Sequence, residues 1–364
     1  MAEAYIVEAV RTAGGRARKG GLIDVHPADM GATILNALVD RTGIDPAAID
    51  DVIVGCVSQA GEQAFALGRN LVLASKLPDS VPAVTIDRQC GSSQQALHFA
   101  AQAIMSGTQD LVIAAGAESM TRVPMGSNYK LHAAAGVGIG PWPKSIQNRY
   151  GVAEFSQFHG AQAVANKYGF TREEMDAYAL TSHAKAAAAI DNGAFKAEIV
   201  GVETPEGLFD IDDGVRRGGT MEAMASVKTL EEGGTITAAN ASQMTDGASG
   251  VLVASEAAIK RFNLKPMARI VNLTVTAGDP VIMLEEPIPA TRRAFERSGL
   301  SLNDIDLFEV NEAFAAIPMA WLKAIGADPA KLNVNGGAIA LGHPLGASGT
   351  KLMSTLIHAL KARG

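Results

Sequence analysis

Cys90 is the residue of this chain best placed by its sequence for covalent chemistry. It follows an apolar run that ends at Ile86 and precedes an Ala-rich stretch that begins at Ser92. A cysteine at a helix N-terminus lies at the positive end of the helix dipole, which lowers the thiol pKa and favours the nucleophilic thiolate. A buried structural cysteine is the alternative. The strand-to-helix position favours a nucleophile, whereas Cys56 has no comparable setting and is predicted to be structural.

His343 is the second candidate, because it lies in a glycine-rich loop. Five glycines occur between residues 336 and 349. Their spacing matches neither the dinucleotide-binding fingerprint nor the phosphate-binding loop that ends in Gly-Lys-Ser/Thr. Between Gly342 and Pro344 the imidazole is held rigidly, so it can take a proton from a thiol or donate to a developing oxyanion. A loop histidine without a role is the alternative.

Asn311 and Glu312 follow a predicted buried strand, Asp306–Val310. The carboxyl ends of strands in an open α/β sheet are preferred ligand sites. Asn311 can hold a water molecule or a carbonyl group there. Glu312 can equally be a charge at a helix N-terminus.

The elements that must position these residues are short apolar strands alternating with Ala-rich helices. In the first third the predicted strands are Tyr5–Val10, Val52–Val57, Val81–Ile86 and Leu111–Ala115, and the predicted helices are Asp29–Thr42, Gly68–Ser75 and Ser92–Ser106. In the last third the predicted helices are Leu284–Gly299, Ala313–Gly326 and Ser348–Lys361, and the predicted strands are Asp306–Val310 and Leu332–Val334. This alternation is typical of an α/β protein with helices on both faces of a sheet.

An internal similarity predicts two related halves. Residues 41–54 and 297–310 share five identical positions out of fourteen, and each segment precedes a Gly-rich stretch with a reactive residue, Cys90 or His343. We expect equivalent loops of two α/β halves to face each other. A chance match of a common helix–turn–strand pattern is the alternative.

The middle of the chain, residues 120–245, has a different character. It contains a Gly/Pro stretch, a helical segment Gln157–Gly169 and a helix Arg172–Asp191 that begins with a capping-box pattern. A polar Gly-rich passage then carries Arg216 and Arg217. We interpret this region as an elaboration that covers a substrate site.

Composition excludes several classes of protein. Of 364 residues 48% are hydrophobic and 19% are charged, which excludes a disordered chain, and the net charge of −7 argues against a general nucleic-acid binder. Two cysteines cannot form a disulfide framework, and no apolar run has the length of a membrane span. The N-terminal residues lack a secretory signal pattern. We therefore expect a soluble protein of a reducing compartment, the cytoplasm.

Three segments of this chain resemble the signature regions of the thiolase family: Cys90–His98, Asn311–Phe314 and Gly337–Gly349. Further similar segments are Ala115–Thr121, Arg216–Thr220 and Asn240–Ser242. The resemblance runs from Tyr5 to Gly364 with the motifs in family order. The segment after Cys90 is more similar to degradative 3-ketoacyl-CoA thiolases than to biosynthetic ones.

The resemblance implies a duplicated five-layer α-β-α-β-α architecture with an inserted loop domain. The N-terminal half would comprise residues 1–119 plus 246–267, the loop domain residues 120–245 and the C-terminal half residues 268–364. It also implies a homodimer or homotetramer that associates through the N-terminal half.

The implied function is acyl transfer between coenzyme A thioesters, as in fatty-acid or related β-oxidation. Cys90 would attack the keto carbon of a 3-ketoacyl-CoA, His343 would activate Cys90 and bind the oxyanion, and Asn311 would hold the water that completes the oxyanion hole. Arg216 and Ser242 match positions near the CoA phosphate and pantetheine. CoA would be a substrate, with no metal and no further cofactor.

The chain differs from the family pattern in two places. Thiolases carry a second catalytic cysteine in a Cys-Xaa-Gly segment a short way beyond the helix that ends here at Lys361–Gly364. We expect the 364 residues to omit a C-terminal strand pair; a catalytically impaired relative is the alternative. In Ser156–Gln162, His159 is offset from the His-Met-Gly of biosynthetic relatives, so a preference for acetoacetyl-CoA is not expected. A condensing enzyme of the same fold and a non-catalytic CoA-thioester-binding protein remain alternatives.

Overall fold

The computed structural model describes residues 2–364 as an α/β fold built around one large mixed sheet. The strands are β1 (Ala4–Thr12), β2 (Gly15–Arg16), β3 (Asp51–Gly55), β4 (Ala83–Ile86), β5 (Leu111–Glu118), β6 (Ile199–Val200), β7 (Val202–Thr204), β8 (Gly207–Phe209), β9 (Thr245–Ser255) and β10 (Ala268–Arg269). The α-helices are α1 (Pro27–Thr42), α2 (Leu67–Ala74), α3 (Ser92–Met105), α4 (Ser127–Ala134), α5 (Lys144–Tyr150), α6 (Gln157–Tyr168), α7 (Arg172–Asp191), α8 (Met221–Ala225), α9 (Glu256–Phe262), α10 (Pro287–Ser298), α11 (Ala316–Ile325), α12 (Ala338–Leu341) and α13 (Ser348–Arg363). The predicted α/β class is confirmed.

The large sheet has the strand order β10-β1-β9-β5-β3-β4, with β2 and β6 paired at its side. Strands β3, β4 and β5 are parallel, while β9 runs antiparallel to both β1 and β5. Successive residues of one strand face opposite layers. In β3, Val52 and Val54 pack with α1 and α2, and Ile53 packs with α3 and α13. Both faces are covered, which explains the continuous apolar runs in the sequence.

Strand β4 departs from the sequence prediction. The apolar composition of the run Val81–Ile86 predicts a buried strand, but β4 is the edge strand, and Val84 is 44% exposed. A sheet edge has only one neighbouring strand, so apolar side chains there stay partly in solvent.

The C-terminal half contributes a much smaller extended layer. The predictions of strands at Asp306–Val310 and Leu332–Val334 are wrong as strands: within the described residues the two segments are joined by one parallel bridge, Phe308–Leu332. Flanking hydrogen bonds run from Phe308 N to Lys331 O (2.9 Å) and from Asn333 N to Phe308 O (2.9 Å). Two segments that share so few hydrogen bonds do not form a ladder. They still form a layer, because Phe308 packs on Trp321 of α11 while Glu309 shares a cavity with residues of α13.

The helices of the middle region share a core with this C-terminal layer. Ala161 and Val164 of α6 and Met175 of α7 pack in one cluster with Phe314 and Trp321. The capping box predicted for α7 is present, with Thr171 and Glu174 each accepting a backbone hydrogen bond from the other. The domain boundaries given above stay a prediction.

The internal similarity has a structural counterpart. Helices α1 and α10 both end at a glycine in the left-handed region, Gly43 (φ 66°) and Gly299 (φ 73°). A single 3₁₀ turn follows each, at Pro46–Ala48 and Leu302–Asp304. Helices α3 and α13, one from each half, then lie in contact in the centre of the molecule: Thr350 N donates to Ser93 Oγ over 3.0 Å. This contact places the loops that precede the two helices on the same side of the fold.

Candidate active site

Cys90 lies in a tight turn between β4 and α3. Gln89 has a left-handed backbone (φ 49°), and the hydroxyl of Ser92 accepts from Arg88 N (2.9 Å) and donates to Gln89 O (2.6 Å). The half-buried Cys90 packs against a cluster formed by Val57, Met120 and Leu345. Since Leu345 belongs to the glycine-rich loop, the structure brings that loop to Cys90.

The thiol of Cys90 is in its neutral form at rest. Burial raises its pKa to about 11, against the stabilising effect of its own backbone N–H, and the carboxylates of Glu118 and Asp87 raise it further. The expectation that the helix N-terminus lowers this pKa is therefore wrong, because loss of solvation outweighs the helix dipole. Cys90 needs a base in order to act as a nucleophile.

The imidazole of His343 is the candidate base, and its hydrogen bonds determine which of its nitrogens can accept a proton. Ser348 Oγ donates to Pro344 O (2.9 Å), so the one proton of this hydroxyl is used and its oxygen accepts from His343 Nδ1. Nε2 then carries the free lone pair. The backbone N–H of His343 is held by Gln243 O (3.0 Å) and Thr245 Oγ1 (3.1 Å).

His343 is also uncharged at neutral pH. Burial lowers its pKa to about 3, and the nearby ammonium of Lys351 lowers it further. The side chain is buried at 3% exposure. A neutral thiol and a neutral imidazole thus form the resting state of the site.

Asn311 lies directly beside His343. Its Nδ2 faces Nε2 of His343 at 3.4 Å. Its Oδ1 is buried and has no hydrogen-bond partner among residues 2–364. A buried carbonyl oxygen without a partner is costly, which indicates that Oδ1 binds a group supplied by solvent or substrate.

Glu312 holds this strand end in place. Its carboxylate is buried and accepts from Tyr178 Oη (3.0 Å), Ser182 Oγ (2.7 Å), Asn333 Nδ2 (3.0 Å) and Ile339 N (3.1 Å). The sequence allowed Glu312 to be a charge at a helix N-terminus. In the structure α11 begins only at Ala316, so Glu312 lies before the first turn of that helix. It is instead a structural anchor.

Ser242 and Arg216 both belong to the middle region of the chain. Ser242 N donates to Ala313 O (2.9 Å), so this half-buried serine lies beside the segment that follows Asn311. Nε2 of the neighbouring Gln243 donates to Gly214 O over 2.8 Å, which connects Ser242 to the segment that leads to Arg216. Arg216 is exposed and lines a pocket of about 410 Å³ together with His183, Leu180, Arg217 and Gly218.

Three further residues of the site were missed by the sequence analysis. The hydroxyl of Ser348 binds the imidazole of His343, and the ammonium group of Lys351 binds the backbone carbonyls just before His343. The carboxylate of Glu118 binds backbone N–H groups from both halves. The carboxylate of Glu118 accepts from Val57 N (2.8 Å) and from Gly346 N (2.8 Å). Glu118 lies in one of the quoted motifs, but only the fold shows what it binds.

The part of the chain that the structure describes contains neither a metal-binding cluster nor a membrane-spanning helix. No group of three or more His, Cys, Asp or Glu side chains converges there in a metal-binding arrangement. No helix of residues 2–364 combines the length and apolarity needed to cross a membrane.

Comparison with known proteins gives matches over almost the whole chain. The family models for the thiolase N-terminal domain and the thiolase C-terminal domain match residues 4–257 and 264–364. The steroid 3-ketoacyl-CoA thiolase FadA6 of Mycobacterium tuberculosis is 53% identical over 366 residues, covering 100% of this chain and 89% of that protein. The 3-ketoacyl-CoA thiolases of Escherichia fergusonii and Bacillus subtilis are each 39% identical, over 100% of this chain and 94% of theirs.

Proposed function

Because this chain belongs to the thiolase family, we propose that Cys90, His343 and Asn311 carry out the cleavage of a 3-ketoacyl-CoA by a second molecule of CoA. The relatives confirm the family, the acyltransferase class and the degradative 3-ketoacyl-CoA thiolase function predicted from the sequence. The observation that carries the proposed roles is the unprotonated Nε2 of a neutral His343, faced by Nδ2 of Asn311 at 3.4 Å, in a loop that packs against Cys90.

The first half-reaction forms an acyl-enzyme. Nε2 of His343 takes the proton of the Cys90 thiol, and the thiolate sulfur attacks the 3-keto carbon of the substrate. The bond between C2 and C3 then breaks. Its electron pair leaves with acetyl-CoA, which takes a proton at C2 from the acid/base that thiolases supply through their second catalytic cysteine, and the shortened acyl group stays on Cys90 as a thioester.

The second half-reaction returns the enzyme to its resting state. The thiol of CoA gives its proton to the acid/base that had protonated C2, and its sulfur attacks the acyl carbon on Cys90. The carbon–sulfur bond to Cys90 breaks, acyl-CoA leaves, and Cys90 regains its proton from Nε2 of His343. Splitting one difficult carbon–carbon cleavage into two transfers is the advantage of the covalent route.

Asn311 and His343 stabilise the negative oxygen that forms in each transfer. Protonated Nε2 of His343 can donate to this oxygen, and the unpartnered Oδ1 of Asn311 can hold a water molecule that donates to it. Preorganised donors in a buried site are often the largest single contribution to catalysis.

We assign Arg216 and Ser242 to CoA itself. The pocket beside Arg216 carries two guanidinium groups, and that of Arg217 is already paired with Asp191 at 2.7–2.8 Å. Arg216 forms no ion pair within the described residues, so its charge is available for a phosphate. Ser242, beside the Asn311 segment, would bind the pantetheine. Each step is a proton or acyl transfer, so we propose CoA as substrate and no metal or further cofactor.

The assembly and location are also proposals. The edge strand β4 and its neighbours expose Phe65 (95%), Val84 (44%) and Phe99 (41%), an apolar surface beside an unpaired strand edge. We propose that two copies join here as a homodimer, alone or within a homotetramer, in the cytoplasm. Light scattering of the wild type and of Val84→Lys tests this: a wild-type monomer would contradict it.

The chemical class of the acyl group is inferred from the name of one relative. Since the relative with 53% identity is named a steroid thiolase, we propose a bulky, ring-bearing acyl chain rather than a straight one. Thiolysis rates for a ring-bearing and a straight-chain 3-ketoacyl-CoA of similar mass decide this. A higher kcat/KM for the straight chain would contradict it.

The decisive experiment detects the acyl-enzyme. Incubation with a 3-ketoacyl-CoA, acid quenching and mass mapping should place the acyl group on the peptide that contains Cys90. Cys90→Ala should abolish both the adduct and thiolysis, and the matched control Cys56→Ala should retain the adduct. An adduct on Cys56, or turnover by folded Cys90→Ala, would contradict the assignment.

A further inference from the structure

Lys351 is a buried cation in an unfavourable position of its own helix. It is 7% exposed and lies in the first turn of α13. The N-terminus of a helix carries partial positive charge and favours anions, and lysine is rarely buried unless it is paired. A residue that goes against both tendencies must have local compensation.

The compensation comes from the backbone directly before His343. Nζ of Lys351 donates to Leu341 O (2.6 Å) and to Gly342 O (2.8 Å). Gly342 has φ 81°, and a Cβ there would lie 2.2 Å from Thr245 Oγ1, so the turn has little freedom to rearrange. Lys351 therefore holds the chain on one side of His343, while Gln243 and Thr245 hold its N–H on the other.

Two of the three carboxyl groups near Lys351 are engaged by Arg11. Arg11 on β1 binds Glu198 (2.6 Å) and Asp212 (2.8 Å), and Glu309 lines the same cavity as Lys351. In residues 2–364 no salt bridge involves Lys351 itself. Burial lowers its pKa to about 8, with Arg11 contributing and Asp212, Glu198 and Glu309 opposing. It is thus mainly cationic at neutral pH, and its charge acts on the carbonyls and on His343.

We propose that Lys351 is a positioning residue for His343, which holds the two backbone carbonyls that directly precede the imidazole-bearing residue. The inference rests on the proposed role of His343 as the base. Removal of the ammonium group would release the two carbonyls and would also raise the pKa of His343, because a neighbouring like charge is lost.

Four variants test this against wild type: Lys351→Met, Lys351→Gln, Lys351→Arg and the exposed control Lys361→Met on the same helix. Lys351→Met should lower kcat for thiolysis by about 10²-fold with little change in KM, since misplacement of a catalytic group by about 1 Å has this effect. The acidic limb of its pH–kcat profile should move to higher pH. Lys351→Gln, which keeps a donor, should show the same pH shift with a smaller loss of kcat, and Lys351→Arg should keep the wild-type profile.

The outcomes separate this inference from the proposed function. If wild type and Lys361→Met lack thiolysis, the proposed function fails. If they turn over and the neutral variants keep the wild-type acidic limb, or Lys351→Arg shifts it as much as Lys351→Met, the inference is overturned.

A measurement on wild type decides the case in which neutral variants do not fold. The ¹⁵N resonances of the His343 imidazole, assigned through their loss in His343→Gln, should show an inflection as Lys351 loses its proton, near pH 8. A flat response from pH 7 to about pH 10 would overturn the inference.

Discussion

The hydrogen bond between Ser348 and His343 gives a quantitative prediction. Ser348→Ala removes the acceptor of His343 Nδ1–H and the bond to Pro344 O (2.9 Å). A buried donor left without a partner costs about 1–3 kcal/mol, and each 1.36 kcal/mol is a factor of about ten in rate. Moreover, the imidazole can then carry its proton on Nε2, where it cannot accept a proton from Cys90. We therefore expect kcat to fall by about 5- to 150-fold, with KM nearly unchanged.

Ser354→Ala is the matched control for this change. Ser354 lies on the same helix, is fully buried, and its hydroxyl has no hydrogen-bond partner among the described residues. The assay is steady-state thiolysis together with the rate of acyl-enzyme formation measured by rapid quenching and mass spectrometry. Wild-type acylation by folded Ser348→Ala, or an equal loss in Ser354→Ala, would refute the tautomer argument.

Three further predictions concern the nucleophile, the oxyanion hole and the junction of the halves. Iodoacetamide should label Cys90 before Cys56, at a rate that rises with pH toward about 11, because burial raises the pKa of both thiols and more strongly that of Cys56; peptide mapping that finds Cys56 labelled first would contradict this. Asn311→Ala and His343→Ala should each lower kcat by about 10²-fold or more, so a variant that mainly raises KM would make its residue a binding residue instead. Glu118→Ala should lower the free energy of unfolding by about 3 kcal/mol or more, since several buried N–H donors lose their acceptor. Denaturant titration measures this loss, with the exposed Glu222→Ala as the control. Equal unfolding midpoints for the two variants would contradict the role of Glu118 in joining the two halves.

The resting state of the site explains how a nucleophile can be protected until substrate binds. Cys90 and His343 are both uncharged, since burial raises the pKa of the thiol and lowers that of the imidazole. An ion pair of thiolate and imidazolium would require two charges in a poorly solvated site. Proton transfer is therefore tied to the attack itself, when the developing oxyanion offers the imidazolium a partner.

The sequence by itself determined the family and most of the helices and strands around the large sheet. The apolar runs around Ile53 and Ile113 and the Ala-rich stretch after Cys90 marked strands and a helix, because period and composition are local properties. The motifs around Cys90, Asn311 and His343 placed the chain among thiolases, and the comparisons confirm this. The roles of Arg216 and Ser242 stay predictions.

Only the tertiary structure decided the ionisation of Cys90, the tautomer of His343 and the exposure of the edge strand β4. The sequence favoured a lowered pKa for Cys90 from a helix dipole, but solvation depends on Val57, Met120 and Leu345, which are distant along the chain. The Nδ1–H tautomer of His343 depends on where Ser348 donates, and the exposure of β4 depends on which strand has a neighbour on one side only. Each of these properties depends on contacts between segments that are far apart in sequence, so no local sequence pattern can predict it.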